Sequence, residues 1–116
     1  DDYEEGTWTP TSGVSLSMNT IAKYVKIGSL VHISFDFTIG SSSSSSEFMF
    51  TTPFAHEAGY YGTGPINYTT ATSVGSLNVD GTVGIKVRNN LFGNNKTYSD
   101  MSGNRLIGTI TYRTTA

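Results

Sequence analysis

The chain has 116 residues, a single domain's length, and its lack of cysteine excludes disulfides and zinc–thiolate centres. Four of its nine carboxylates fall in the first five residues, which leaves five against seven scattered cations over the rest. No basic stripe tracks a phosphate backbone, so nucleic acid is disfavoured, and no apolar run nears the ~18 residues that a membrane-crossing helix needs.

Leu, Ile, Val and Phe together number only 26, close to the ~20% at which disordered composition begins. Fourteen aromatic residues argue for a folded chain all the same. Ser, Thr and Gly contribute 45 residues, a supply that favours strands and turns over helix. A core this thin points to burial against other chains, so self-association is expected.

The opening "DDYEEGTWTP" sets a cluster of carboxylates (Asp1, Asp2, Glu4, Glu5) before a lone Trp8. Trp8 is expected to anchor the start of the domain by burying its ring; a sugar-stacking platform is the alternative. "LVHISFDFTI" (Leu30–Ile39) alternates apolar and polar residues with a strict period of two, which predicts a strand with one dry face. In "IAKYVKI" (Ile21–Ile27) just before it, Ile21, Lys23, Val25 and Ile27 share one parity and Ala22, Tyr24 and Lys26 the other. Gly28 between them can take the positive φ of a two-residue turn, so residues 21–39 form a central hairpin. Val31, Ile33, Phe35, Phe37 and Ile39 should face the core. His32, Ser34, Asp36 and Thr38 should be solvated or lie at a subunit contact.

Ser41–Ser46 reads as a flexible turn tip. Phe48 and Phe50 in "EFMF" point together into the core. "TPFAHEAGYYGTGPINYTT" (Thr52–Thr70) is long, irregular and too aromatic to be disordered, which marks it as a functional loop. Asp80-Gly81 is a strong hairpin signal between Leu77/Val79 and Val83/Ile85/Val87. The closing "RLIGTITYRT" has apolar groups on both parities, as a strand covered on both faces would. No segment carries a sustained 3.6-residue period. The fold class is all-β, an antiparallel β-sandwich or jelly roll of about seven to nine strands.

The chain holds no constellation for catalysis. Nucleophilic chemistry needs a base beside the nucleophile, yet His32 stands on a wet strand face and His56 in a loop, and no G-x-S-x-G elbow occurs. Neither histidine has a partner at metal-ligand spacing. Asp36 with Glu57 is the one carboxylate pair left for glycoside hydrolysis. The expectation is no enzyme, no cofactor and no metal site.

"DDYEEGTWTP" followed by "KYVKIGSLVHISFDFTI" resembles the C-terminal domain of tailed-bacteriophage tail fibres and tailspikes. "TTPFAHEAGYYG", with Thr52 where a Leu is typical, and "LIGTITYRTTA" extend the resemblance over nearly the whole chain. It implies a homotrimeric, β-sandwich-like head at the fibre tip of the virion, outside the cell, contacting host-surface polysaccharide or lipopolysaccharide during adsorption. Residues 1–7 would then be the seam to an upstream shaft, and 8–116 the head. Membrane insertion is not implied. A structural trimerisation cap, or an auxiliary carbohydrate-binding module on a polysaccharide-degrading tailspike, are the alternatives. Carbohydrate sites combine aromatic faces with amides and carboxylates. The candidates on that chemistry are His56, Glu57, Tyr60, Tyr61, Asn67 and Tyr68 in the long loop, and Arg88, Asn94, Asn95 and Tyr98 in "RNNLFGNNKTY". The closing strand, Leu106–Tyr112, is the expected subunit contact.

Overall fold

The computed structural model describes residues 3–57, 62–80, 84–89 and 94–115. Among them, ten strands and one helical turn follow in chain order. These are β1 (Tyr3–Thr7), β2 (Leu16–Met18), β3 (Lys23–Ile27), β4 (Leu30–Ile39), β5 (Met49–Thr51), β6 (Thr63–Gly64), β7 (Ile66–Thr69), β8 (Val74–Asp80), β9 (Gly84–Asn89), α1 (Tyr98–Met101) and β10 (Arg105–Arg113). One sheet runs β1-β3-β4-β10-β7, with β2 also paired to β4; the other runs β5-β9-β8-β6. Every pairing is antiparallel, and the class is all-β.

The central hairpin forms as its alternation predicts. Ile27 pairs with Leu30, which leaves a two-residue turn with Gly28 at φ +58°. Val31, Ile33, Phe35, Phe37 and Ile39 are all buried. Full burial of such side chains stabilises by ~1.5–3 kcal/mol each. A one-residue slip would expose all five, a cost comparable with the ~5–15 kcal/mol that holds a whole domain together. Across the core, Phe50 of β5 meets Phe35 and Phe37 edge-on at 4.9 and 5.0 Å between centroids, and Phe48 at 6.0 Å. These rings join the two sheets.

Three local features differ from the sequence expectation, and the segment expected as a seam has a structure of its own: Tyr3–Thr7 is an edge strand paired with β3 from Tyr3↔Ile27 to Thr7↔Lys23. Ser41–Ser46, read as a flexible tip, is tied down: Ser44 and Ser46 donate their backbone N–H groups to the hydroxyls two residues before them, and Ser42 donates to Ser102 Oγ. Small hydroxyl side chains can satisfy their own backbone in this way. The carbonyls of Ser44 and Ser46 then accept from Ser99 and Tyr98, which fixes α1. The long loop contains β6 and β7, so much of its backbone is paired. Finally, β10 is covered unevenly: Leu106, Ile110 and Tyr112 are buried, whereas Ile107 and Thr109 are half-buried and Thr111 is exposed. Its flanks are taken by β4 along its length and by β7 over Leu106–Gly108.

Trp8 anchors as expected. Its ring packs against the core and Nε1–H donates to the Thr51 carbonyl at 3.1 Å. The Asp80-Gly81 turn has Gly81 outside the described residues, but β8 and β9 pair on either side of it, from Val74↔Asn89 to Asp80↔Gly84.

Candidate functional site

The ten candidate side chains do not gather in one place. Tyr60 and Tyr61 lie outside the described residues. His56 is buried beside Thr114, and Glu57 pairs with Arg113 at 3.4 Å. Asn67 and Tyr68 stand exposed on β7, opposite the other end of β10. Ile107, the partner of Tyr68, and Arg113 are six residues apart on one strand, or ~20 Å. The same span separates Glu57 from Asp36, which pairs with Ile107, so these carboxylates lie beyond the ~9.5 Å reach of a glycosidase pair.

Arg88 lies on β9 of the other sheet, and Asn94 and Asn95 lie against it outside any strand. Arg88 bridges to Asn95, and the Asn94 carbonyl accepts from Asn89 N–H at 2.7 Å. Tyr98 has a structural position. Its ring meets Phe48 edge-on at 5.5 Å, and its hydroxyl accepts from Gly13 N–H at 3.0 Å. Of the ten, the structure brings Asn67 to a concave surface, with Tyr68 beside it.

That surface is the outer face of the six-stranded sheet. Since opposed residues share a face, the rows across it can be read from the register. Thr7, Lys23, Ser34 and Thr109 form one row, and Asp36, Ile107 and Tyr68 the next. A cleft of about 480 Å³ opens there, walled by Thr20 and Ile21 on one side and Pro65–Asn67 on the other, with Ser34, Asp36, Ile107 and Thr109 on its floor. Along β7, Tyr68 pairs with Ile107 and Ile66 with Gly108, so Asn67 is the extra residue of a bulge. Bulges re-aim a side chain and break the ladder locally. A second depression of about 410 Å³ shares Thr20 and Ile21 and is lined by Trp8 and Met18.

Asp36 departs from the wet face expected of it. Arg105, at the start of β10, donates Nε–H to Oδ1 at 2.9 Å and Nη2–H to Oδ2 at 2.7 Å, and Asn19 Nδ2 adds a bond to Oδ1 at 3.1 Å. These three donors cover the carboxylate, leaving 9% of its side chain exposed against 44% for Arg105. Arg105's hydrogen bonds, opposed by burial and helped by Asn19, hold the Asp36 carboxyl below its usual range. His32 lies two residues from the cleft floor, with Nδ1 2.9 Å from Thr111 Oγ1.

Sequence reasoning missed Thr20, Ser34, Arg105 and Thr109, and weighed Asp36 only as half of a carboxylate pair with Glu57. Their signal was present, because Ser34 and Asp36 occupy the polar parity of the most strictly alternating strand. What the alternation could not give was the neighbouring strand, and Arg105 reaches Asp36 only because β10 pairs with β4. No protein-family model, curated protein or solved structure matches the chain.

Proposed function

We propose that the chain is the distal head domain of a tailed-bacteriophage tail fibre, a jelly-roll-like sandwich that recognises host-surface carbohydrate during adsorption. The observation that carries the reading is the cleft on the outer sheet face. Its Ser34, Thr109, Thr20 and Asn67 groups can exchange hydrogen bonds with sugar hydroxyls, and Ile21 and Ile107 offer apolar contact to a ring face. Tyr68, half exposed beside it, supplies an aromatic surface. The phage assignment comes from the "DDYEEGTWTP" and "KYVKIGSLVHISFDFTI" motifs.

Titration of the domain with oligomers cut from host polysaccharide tests the reading. Wild type should bind, and Asn67→Ala with Tyr68→Ala, both at exposed positions, should abolish binding without lowering the melting temperature. Failure of every oligomer to bind, together with unchanged adsorption by virions lacking the head, would sink it.

A homotrimeric, capping role is favoured by a separate observation. Tyr3, Ile27 and Leu30 lie side by side in the register and are 50%, 58% and 49% exposed. An apolar row beside the strand that ends the sheet among the described residues is a surface for another copy to cover. Light scattering decides this: a mass near 12.5 kDa means a monomer, and about three times that the trimer.

A further inference from the structure

We infer that the saccharide taken by this cleft is acidic, and that Arg105 reads its oxyanion. The inference rests on the carbohydrate reading of the cleft and adds the ligand's charge class. Guanidinium is planar, with five N–H donors in fixed directions. Asp36 takes the side edge formed by Nε and Nη2. That pairing leaves the end edge, Nη1–H and the second Nη2–H, which can itself grip a carboxylate or phosphate with two parallel bonds. Among the described residues, Asp36 is the hydrogen-bonding partner of the Arg105 side chain, and nearly half of that side chain is open to solvent.

Asp36 acts here as a positioning residue. Two bonds to a carboxylate that is itself held by Asn19 fix the guanidinium plane, so the end edge is presented without the entropy cost of ordering a free arginine. The three donors that cap Asp36 also blunt its repulsion of an anion. Lys23 adds a second cation. It is exposed, stands directly opposite Ser34, and borders the cleft floor from the β3 side. Of the charged groups among the described residues, Asp36 lines the cleft, Arg105 adjoins it through its bonds to Asp36 and Lys23 through its place opposite Ser34, a surplus of one positive charge. Farther along the same face, Glu5 is opposed to Val25 and engaged by the Tyr3 hydroxyl at 2.8 Å, and Arg113 is paired with Glu57. A neutral sugar would use the hydroxyls and leave the Arg105 edge to water. An acidic one uses both.

Calorimetric titration of the wild-type domain with three matched oligosaccharides tests the inference: a neutral hexose oligomer, the same oligomer with a uronic acid in place of one hexose, and the same oligomer phosphorylated. At least one acidic oligomer should bind about tenfold tighter than the neutral one, as a charge-assisted hydrogen bond allows. The preference should shrink as ionic strength rises from about 0.01 M to 1 M, where the screening length falls to ~3 Å. Arg105→Gln combined with Asp36→Asn removes both charges without stranding either. It should bring the acidic and neutral affinities to the same value, and Lys23→Gln should weaken acidic binding a few-fold. Which acidic oligomer wins separates carboxylate from phosphate. Equal wild-type affinity for neutral and acidic oligomers, or a preference untouched in the double variant, overturns the acidic reading and leaves the carbohydrate reading standing. Binding of none overturns the acidic reading, and the carbohydrate reading falls with it if the host-polysaccharide oligomers also fail and virions lacking the head adsorb unchanged.

Discussion

Gly64 is the position at which one added methyl should do most harm to the cleft. A Cβ there would collide with the Thr109 carbonyl oxygen and come within 2.8 Å of Ile110 Cα and 2.9 Å of Ile110 Cβ. The first two of these are backbone atoms of β10, so no rotamer change relieves the overlap. Overpacking costs ~1–3 kcal/mol in cores that can adjust, and this one must adjust by moving a strand. Alanine restricts the unfolded chain more than glycine does, which returns ~0.4–1 kcal/mol. From the top of that overpacking range the net loss expected for Gly64→Ala is about 2 kcal/mol, and in a domain of this size that lowers the melting temperature by roughly 8–15 °C. Gly28→Ala is the control. Gly28 has open space around its missing Cβ but a φ of +58°, so backbone strain of ~1–2 kcal/mol is set against the same entropic gain. Its loss should be about a third as large. Because Pro65, which follows Gly64, accepts from Thr109 N–H at 3.4 Å, Gly64→Ala should also displace the Pro65–Asn67 wall and weaken saccharide binding, whereas Gly28→Ala should not. Thermal melts by circular dichroism with calorimetric titration read both effects. A Gly64→Ala variant melting within about 2 °C of wild type, or below it by less than Gly28→Ala, would refute the reasoning.

The pairing of Asp36 with Arg105 makes stability depend on pH. A carboxyl held below its unfolded-state value stabilises above the ordinary carboxylate range and loses that contribution as pH falls through its folded value. Asp100 acts with the same sign, through its bonds from the Thr97 backbone first and side chain second. Denaturant melts of Asp36→Asn should therefore show a flatter loss of stability below about pH 4 than wild type, and an identical slope would count against the pairing. Thr97→Ala removes one half of the capping box on α1, in which Thr97 Oγ1 accepts from Asp100 N–H at 3.1 Å. It should cost about 1 kcal/mol in a urea melt. Tyr98→Phe should cost a similar ~1 kcal/mol by leaving Gly13 N–H without its hydroxyl acceptor. Ile27→Asp with Leu30→Asp should lower the mass seen by light scattering if the exposed row is a subunit contact, and no change in a multimeric wild type would remove the row from consideration.

The fold was legible wherever period and turn chemistry agreed. Val31 to Ile39 alternate without a break, Gly28 fits the two-residue turn, and together they specify which face of β4 is dry. Phe48 and Phe50 share a parity and both go in. The serine run misled because its composition is that of a linker. Its structure comes from a partner far along the chain, Ser102 and the first turn of α1, which composition does not encode. The same holds for Tyr3–Thr7, whose carboxylates look like a solvated end. Backbone pairing with β3 needs nothing from those side chains, which keep one edge of the sheet charged.

The candidate site was half legible for a related reason. Aromatic and amide richness picked out the long loop and the asparagine-rich segment, and it ranked Tyr98 beside Asn67. Spacing could not show that Tyr98 turns its ring onto Phe48 while Asn67 is pushed out of register by a bulge. The deciding facts are relations between strands: Ser34 faces Lys23 and Thr109, and Asp36 faces Ile107 but is held by Arg105 from the next row. Each of those residues, taken singly, is an ordinary polar position on a wet face. Their chemistry is created by the β4–β10 pairing, which joins segments some seventy residues apart. An arginine buttressed on one edge by Asp36 and half open to solvent, beside a cleft floored by Ser34 and Thr109, is an arrangement that no contiguous motif could have announced.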